Sequence, residues 1–383
     1  MKKELLIKTL VVGLVILFIN AGIVSAFNIG SINESKPMNN GNIFYVGGTG
    51  PNNYTIIQDA INDAENGDTV FVFDDSAPYY ENLVIEKSIT LIGEDRDTTI
   101  ILGDESSDAV IVNISADDVS ISGFTIHPNT GKPAGIIVNK NYTYPDYWNI
   151  EIIQNVTIFN NIIKTTDFAA IFGIRLNNGN IYGNVIENCD GSGIVLFISS
   201  NSSITDNVIA DCLYHGIEIS GLWNPYRIKN YINPVSENNI ISHNTIQSNR
   251  WGIGLHSGPL NTKITDNNII DSHGMFPLDD GIGIVIHQAS KTQITRNNFI
   301  DNYQNAYFEA ICIIRYPQFL QNSWDNNYWG EPKNKFVRIN GNLYLIPFPR
   351  LPFIISFPNY DFNFNDIPWM AIDWHPATEP FLI

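Results

Sequence analysis

Charge is scarce in this sequence, since only 16% of its 383 residues are charged and acidic side chains outnumber basic ones by 39 to 21. The resulting formal charge of −18 excludes nucleic acid and anionic lipid as principal partners, because such a surface repels both. Cysteine occurs three times and methionine four times, and neither Cys-x-x-Cys nor His-Glu-x-x-His spacing is present, so no zinc motif is available. After Thr69 no stretch sustains an apolar period of 3.6, which excludes a helical bundle. Asn-Gly turns are few, so a hairpin meander also lacks its usual connectors. Beyond the N-terminus no apolar run reaches the roughly 20 residues that a membrane helix requires.

What is present begins with MKKELLIK, the apolar TLVVGLVILFI and the small-residue pattern Val24-Ser25-Ala26. This order predicts a secretory signal peptide over 1–26, cleaved after Ala26, and a secreted or cell-surface protein. The alternative is an uncleaved anchor, but Asn20 and Gly22 interrupt the run. Cleavage removes Lys2, Lys3, Lys8 and Glu4, which leaves a still more acidic chain with no membrane span. Residues 27–42 are polar and rich in Gly and Asn, and read as a linker.

YTIIQDAINDAENGDTV, residues 54–70, carries the signature of one short helix. Thr55 and Gln58 stand at capping-box spacing, Ile57, Ala60, Ile61 and Ala64 follow at helical spacing, and Gly67 supplies the stop. Short alternating strands come next, among them TVFVF, NLVIE and SITLIGE. A period then emerges as Ile-x-x-Asn-x-apolar, with Asn at 161, 184, 207, 244, 267 and 297, so that three of the five spacings are 23 and the others are 37 and 30. Gly-Ile-x-apolar follows at Gly173, Gly193, Gly216, Gly252 and Gly283. A unit of about 23 residues built of short strands and bends is one coil of a parallel β-solenoid. Ile and Leu then fill the interior, and the asparagines make the left-handed bends and bond their neighbours above and below.

These residues resemble the right-handed parallel β-helix family with pectate-lyase-like repeats, a group that includes carbohydrate-active enzymes and a copper-associated accessory protein of nitrous-oxide reductase maturation. The resemblance covers roughly residues 43–330 and implies an all-β single-stranded solenoid, with the helix capping its N-terminal end. NSWDNNYWG, residues 322–330, is similar to a closing coil of such proteins. Residues 331–383 are rich in Pro and aromatics and form an irregular C-terminal cap or tail. Trp324, Trp329, Phe353 and Trp369 are its expected sealing groups.

In enzymes of this fold the substrate groove follows the outward strand face, so the outward residues of the Gly-Ile-x-apolar strand are the candidates. Aligning the glycines places Arg175 in one outward row with Glu218, and Asn177 in the next row with His256 and His287. His215, Trp251 and the pair Asp279 and Asp280 lie at the preceding bends. The insertion SGLWNPYRIKNYINPVSENN adds Trp223, Arg227 and Lys229. A catalytic set of Glu218, Asp280, His256 and His287 and a binding set of Arg175, His215, Trp223, Arg227, Lys229, Trp251 and Asp279 would suit an acidic polysaccharide. Tyr214-His215-Gly216 with Ile217-Glu218-Ile219, Arg227-Ile228-Lys229 and Asp279-Asp280 each resemble fragments of the polygalacturonase pattern, but their order is wrong, because the paired Asp should precede the His-containing strand. A lyase would add Ca²⁺, for which Asp206, Asp266 and Arg296 form a second row on another edge, read here as structural. No other cofactor is implied. The small number of Met residues argues against copper handling.

Cys189 and Cys212 occupy one coil position 23 residues apart, so a disulfide and a pair of buried thiols are both open. The leading expectation is a monomeric exported β-helix that binds or organises polysaccharide or glycoprotein. The alternative is a lyase or hydrolase acting in the groove.

Overall fold

The computed structural model describes residues 41–103, 110–129, 134–140, 150–222, 235–274, 281–313, 322–333, 335–346 and 365–383. The expected signal peptide, Trp223, Arg227, Lys229, Asp279, Asp280 and Phe353 lie outside the described residues, and so does the side chain of Trp369.

Among the described residues parallel strands stack in three long series, beside a short parallel pair of Ile153–Gln154 with Leu176–Asn177. One runs from Ile43–Val46 to Ser323–Asp325, a second of nine strands runs from Tyr79–Tyr80 to Asn298–Ile300, and the third runs from Leu83–Ile85 to Gln304–Ile313. A single coil visits each series once, as in Ser203–Thr205, Val208–Ala210 and His215–Ser220. The register follows the sequence period: Asn180 pairs Ser203, Ser203 pairs Ile240 and Ile240 pairs Lys263. Inside, Ile158, Ile181, Ile204, Ile241, Ile264 and Ile294 form a continuous buried row. Each coil alone exposes its apolar edge, so stacking is what completes the core.

The asparagine row is interior. Asn161, Asn184, Asn207, Asn244, Asn267, Asn297 and Asn327 are all buried, and each Nδ2 from Asn161 to Asn297 donates to the Oδ1 of the next at 2.9–3.2 Å. The left-handed residue is the one before: Asn160, Asp206, His243, Asp266, Arg296 and Asn326 have φ between 52° and 58°. The bend thus needs two positions, one left-handed and one bonded inward, and the expectation merged them.

Ile57–Asp63 is helical and buries Ile57, Ala60 and Ile61. Its start is not a capping box, since the cap position Ile56 makes no side-chain bond. The Glu81 carboxylate takes over that role, accepting from Ile57 N at 2.8 Å and Gln58 N at 2.9 Å. At the other end, Val337–Ile346 and Asn365–Asp373 form an antiparallel pair, with Val337–Ile346 added alongside Gln304–Ile313. Trp324 and Trp329 are buried there, and Trp329 stacks on Phe299 at 4.6 Å. Cys189 and Cys212 stand as free buried thiols, so of the two alternatives the structure contains the unbridged one.

Candidate functional site

On the third series the outward positions form two rows along the solenoid. Phe172, Val195, Glu218, Gly254, Val285 and Tyr307 make the first. In the second, Ile174 pairs Phe197, Phe197 pairs Ser220, Ser220 pairs His256, and His287 pairs Glu309. Arg175 belongs to neither row, and Asn177 is likewise displaced. Gly173 pairs Leu196 rather than Gly193, so the look-alike GIRL sits three residues out of step. Arg175 is instead a left-handed bend residue with φ 52°, its backbone N donating to Phe197 O.

His256, His287 and His215 meet. His256 Nδ1 is 2.9 Å from His287 Nδ1, and His256 Nε2 is 2.8 Å from His215 Nε2. The second contact passes over Gly254, where a Cβ would stand 2.6 Å from the Nε2 atoms of both His215 and His256. Only glycine leaves that space. The row ends on carboxylates: His215 Nδ1 is 3.4 Å from Glu218 Oε2, and His287 Nε2 is 3.7 Å from Glu309 Oε2. The first of these is an ion-pair distance without hydrogen-bond alignment, and Nδ1 has no hydrogen-bond partner.

Burial pushes the Glu218 carboxyl up, but His215 above all, then His256 and Ser220, oppose it and hold the group below its ordinary value. Burial, reinforced by the neighbouring His215, lowers His256 to about 3. His287 is also lowered, by burial first, with Glu309 opposing. His256 and His287 are thus held neutral by a site that penalises added positive charge.

Trp251 lies beside His215, with ring centroids 4.8 Å apart, and the Arg250 guanidinium covers its ring at 4.4 Å. Its ring is thus engaged by His215 and Arg250. Tyr214 is half exposed nearby, 5.7 Å from Arg250.

Glu309 and Tyr307 escaped the sequence reading. The strand Gln304–Ile313 lacks the Gly-Ile signature, although Glu309 follows His287 by 22 residues, close to one coil. Asp206 and Asp266 have φ of 56° and 54°, and Arg296 Nε lies 2.7 Å from Asp266 Oδ1. Two clefts elsewhere hold about 590 Å³, beside Tyr45, Phe73 and Asp75, and about 380 Å³, beside Lys263 and Lys291.

No curated protein matches the chain in sequence. Among solved structures it is similar to the A-module of the Azotobacter vinelandii mannuronan C-5 epimerase AlgE4, with 16% identity, 66% of this chain and 76% of that one covered, and a TM-score of 0.43. The AlgE6 A-module of the same organism gives 14%, 76%, 82% and 0.47. The Yersinia enterocolitica family 28 exopolygalacturonase gives 12%, 76%, 67% and 0.42. At these identities the likeness bears on no activity of this chain. The family described as "Right handed beta helix region" matches residues 108–299, half of the sequence. With three series of parallel strands wound coil upon coil, the chain belongs to the right-handed β-helix family.

Proposed function

We propose that this β-helix binds a polysaccharide along the outward face of the strands from Ala169–Ile174 to Gln304–Ile313. One observation carries the reading: rings and hydrogen-bonding groups share the same two rows. Phe172 and Phe197 are half buried, and Phe168, 51% exposed, packs edge-on against Phe172 at 5.1 Å. Glu218, Ser220, His256, His287 and Glu309 continue the face. A sugar ring presents an apolar C–H face and polar hydroxyl edges, and such a surface is complementary to both. The solenoid length offers a linear polymer many successive contacts. In the same reading the protein is exported through residues 1–26 and works outside the cell or at its surface.

Glu218 beside His215 favours a second reading, cleavage of the bound chain by acid–base chemistry, with Ca²⁺ an additive only if the reaction is a lyase's. Retention of the mature protein on a panel of uronic-acid and neutral polysaccharides separates these outcomes when unsaturated-product absorbance and reducing ends are followed with and without Ca²⁺. Retention without products supports binding. Products abolished by Glu218→Gln support cleavage. Neither retention nor products on any glycan overturns both.

A further inference from the structure

All six ring nitrogens of His215, His256 and His287 face one another or a glutamate. An ionised carboxylate only accepts, whereas each imidazole nitrogen either donates or accepts. The two N···N contacts, at 2.9 and 2.8 Å, each require one intervening proton. Three neutral imidazoles supply three protons. If His215 donates from Nε2, His256 from Nδ1 and His287 from Nε2, both N···N contacts and the Glu309 contact are served. His215 Nδ1 is then bare toward Glu218, and it is the nitrogen that lacks a hydrogen-bond partner. In the mirror arrangement His215 donates from Nδ1, His256 from Nε2 and His287 from Nδ1, and the bare nitrogen is His287 Nε2 facing Glu309. The two arrangements differ only in which end lacks a proton.

We propose that this row is a proton wire connecting Glu218 to Glu309 through three neutral imidazoles. A proton taken up by Glu218 passes to His215 Nδ1, and the His215 Nε2 proton moves to His256 Nε2. The His256 Nδ1 proton moves to His287 Nδ1, and the His287 Nε2 proton moves to Glu309, which releases it to water. One proton enters and one leaves, every imidazole ends neutral, and the first arrangement has become the second. No imidazolium persists, in keeping with the lowered His256 and His287. The path spans three strand steps, about 14 Å at the usual strand spacing.

The ends differ as a wire requires. The His215 side chain is 7% exposed and Glu218 23%, whereas His287 and Glu309 are 32% and 34% exposed. Tyr307 donates to Glu309 Oε1 at 3.2 Å, and Asn342 donates to the Tyr307 oxygen at 3.1 Å, so the outlet is held in place. Glycan binding alone calls for no such path.

Full-length protein carrying ¹⁵N-labelled histidine tests the wire by NMR at neutral pH, with circular dichroism to verify folding. Wild type is expected to show N–N coupling in two pairs, His215 Nε2 with His256 Nε2 and His256 Nδ1 with His287 Nδ1. His256→Gln loses both couplings and changes the tautomers of His215 and His287 together. Gly254→Ala retains all three histidines, and it loses the first coupling while keeping the second. A folded wild type with neither coupling, or a folded His256→Gln in which His215 and His287 keep their wild-type tautomers, overturns the proposal. No glycan enters the measurement, so this result and the retention result stand or fall separately.

Discussion

The Asp373 Oδ2 atom terminates the asparagine row, accepting from Asn327 Nδ2 at 3.1 Å and from Asn327 N at 3.1 Å. Trp329 Nε1 donates to the same oxygen at 3.0 Å. Every amide in the row donates toward the C-terminal end, so its dipoles add there, and a carboxylate is the complementary stop. Asp373→Ala leaves these buried donors without a partner and is expected to destabilise by about 1–3 kcal/mol per unsatisfied group. Asp373→Asn, which retains an acceptor, should lose less. Urea unfolding of the two variants checks the order, and an Ala variant as stable as wild type would remove the row's terminus as a stabilising contact.

The helix start yields a second test. Glu81 bonds the first two helical N–H groups, whereas no cap bond comes from Thr55. Glu81→Ala should cost about 1–2 kcal/mol, the scale of losing a cap, and Thr55→Ala close to nothing. Hydrogen exchange across Ile57–Asp63 reads the difference directly; equal effects would contradict the assignment.

Stability should fall as the solution is acidified from about pH 6.5. The folded His256 is lowered from 6.5 to about 3 and His287 is lowered as well, so the unfolded chain binds more protons across this window. Stability from these groups is complete above the unfolded value and is lost as pH drops toward the folded one, at up to about 1.4 kcal/mol per pH unit for each histidine. Glu218, also lowered, adds the same sign at lower pH. The groups facing the row are Glu218, Glu309, Tyr307, Arg250 and Trp251. His256→Gln should flatten the slope of urea-derived stability between pH 6.5 and 4, and an unchanged slope would assign it elsewhere.

Arg175 and Phe197 distinguish sequence alignment from register. Phe197 stands on the outward row and Arg175 at a bend. Phe197→Ala is expected to weaken glycan retention several-fold, on the scale of losing about 1 kcal/mol of ring contact, and Arg175→Ala to leave it unchanged. Affinity electrophoresis on the retained glycan measures both; the reverse ranking would restore the glycine alignment.

Much of the fold was legible because a stacked coil writes its spacing into the chain. The asparagine separations of 23, 37 and 30 reappear in the bonds Asn184 to Asn207, Asn207 to Asn244 and Asn267 to Asn297. The site was legible in part. His215, His256, His287 and Glu218 were drawn from coil alignment, and the structure brings them together. Arg175 was misplaced because Gly-Ile recurs in two registers, and strand pairing selects between them by which apolar residues point inward. Glu309 carries no motif of its own and becomes visible only once its strand is paired with Ile282–His287.

The solenoid, its period, its interior isoleucines and the helix Ile57–Asp63 follow from the sequence, because each depends on residues at fixed separations along the chain. Tertiary structure decided that Glu81 caps that helix, that Asp373 closes the asparagine row, and that His215 and His256 meet over Gly254. Those contacts join residues from different coils, and their distances depend on stacking register and side-chain direction, which no local pattern records.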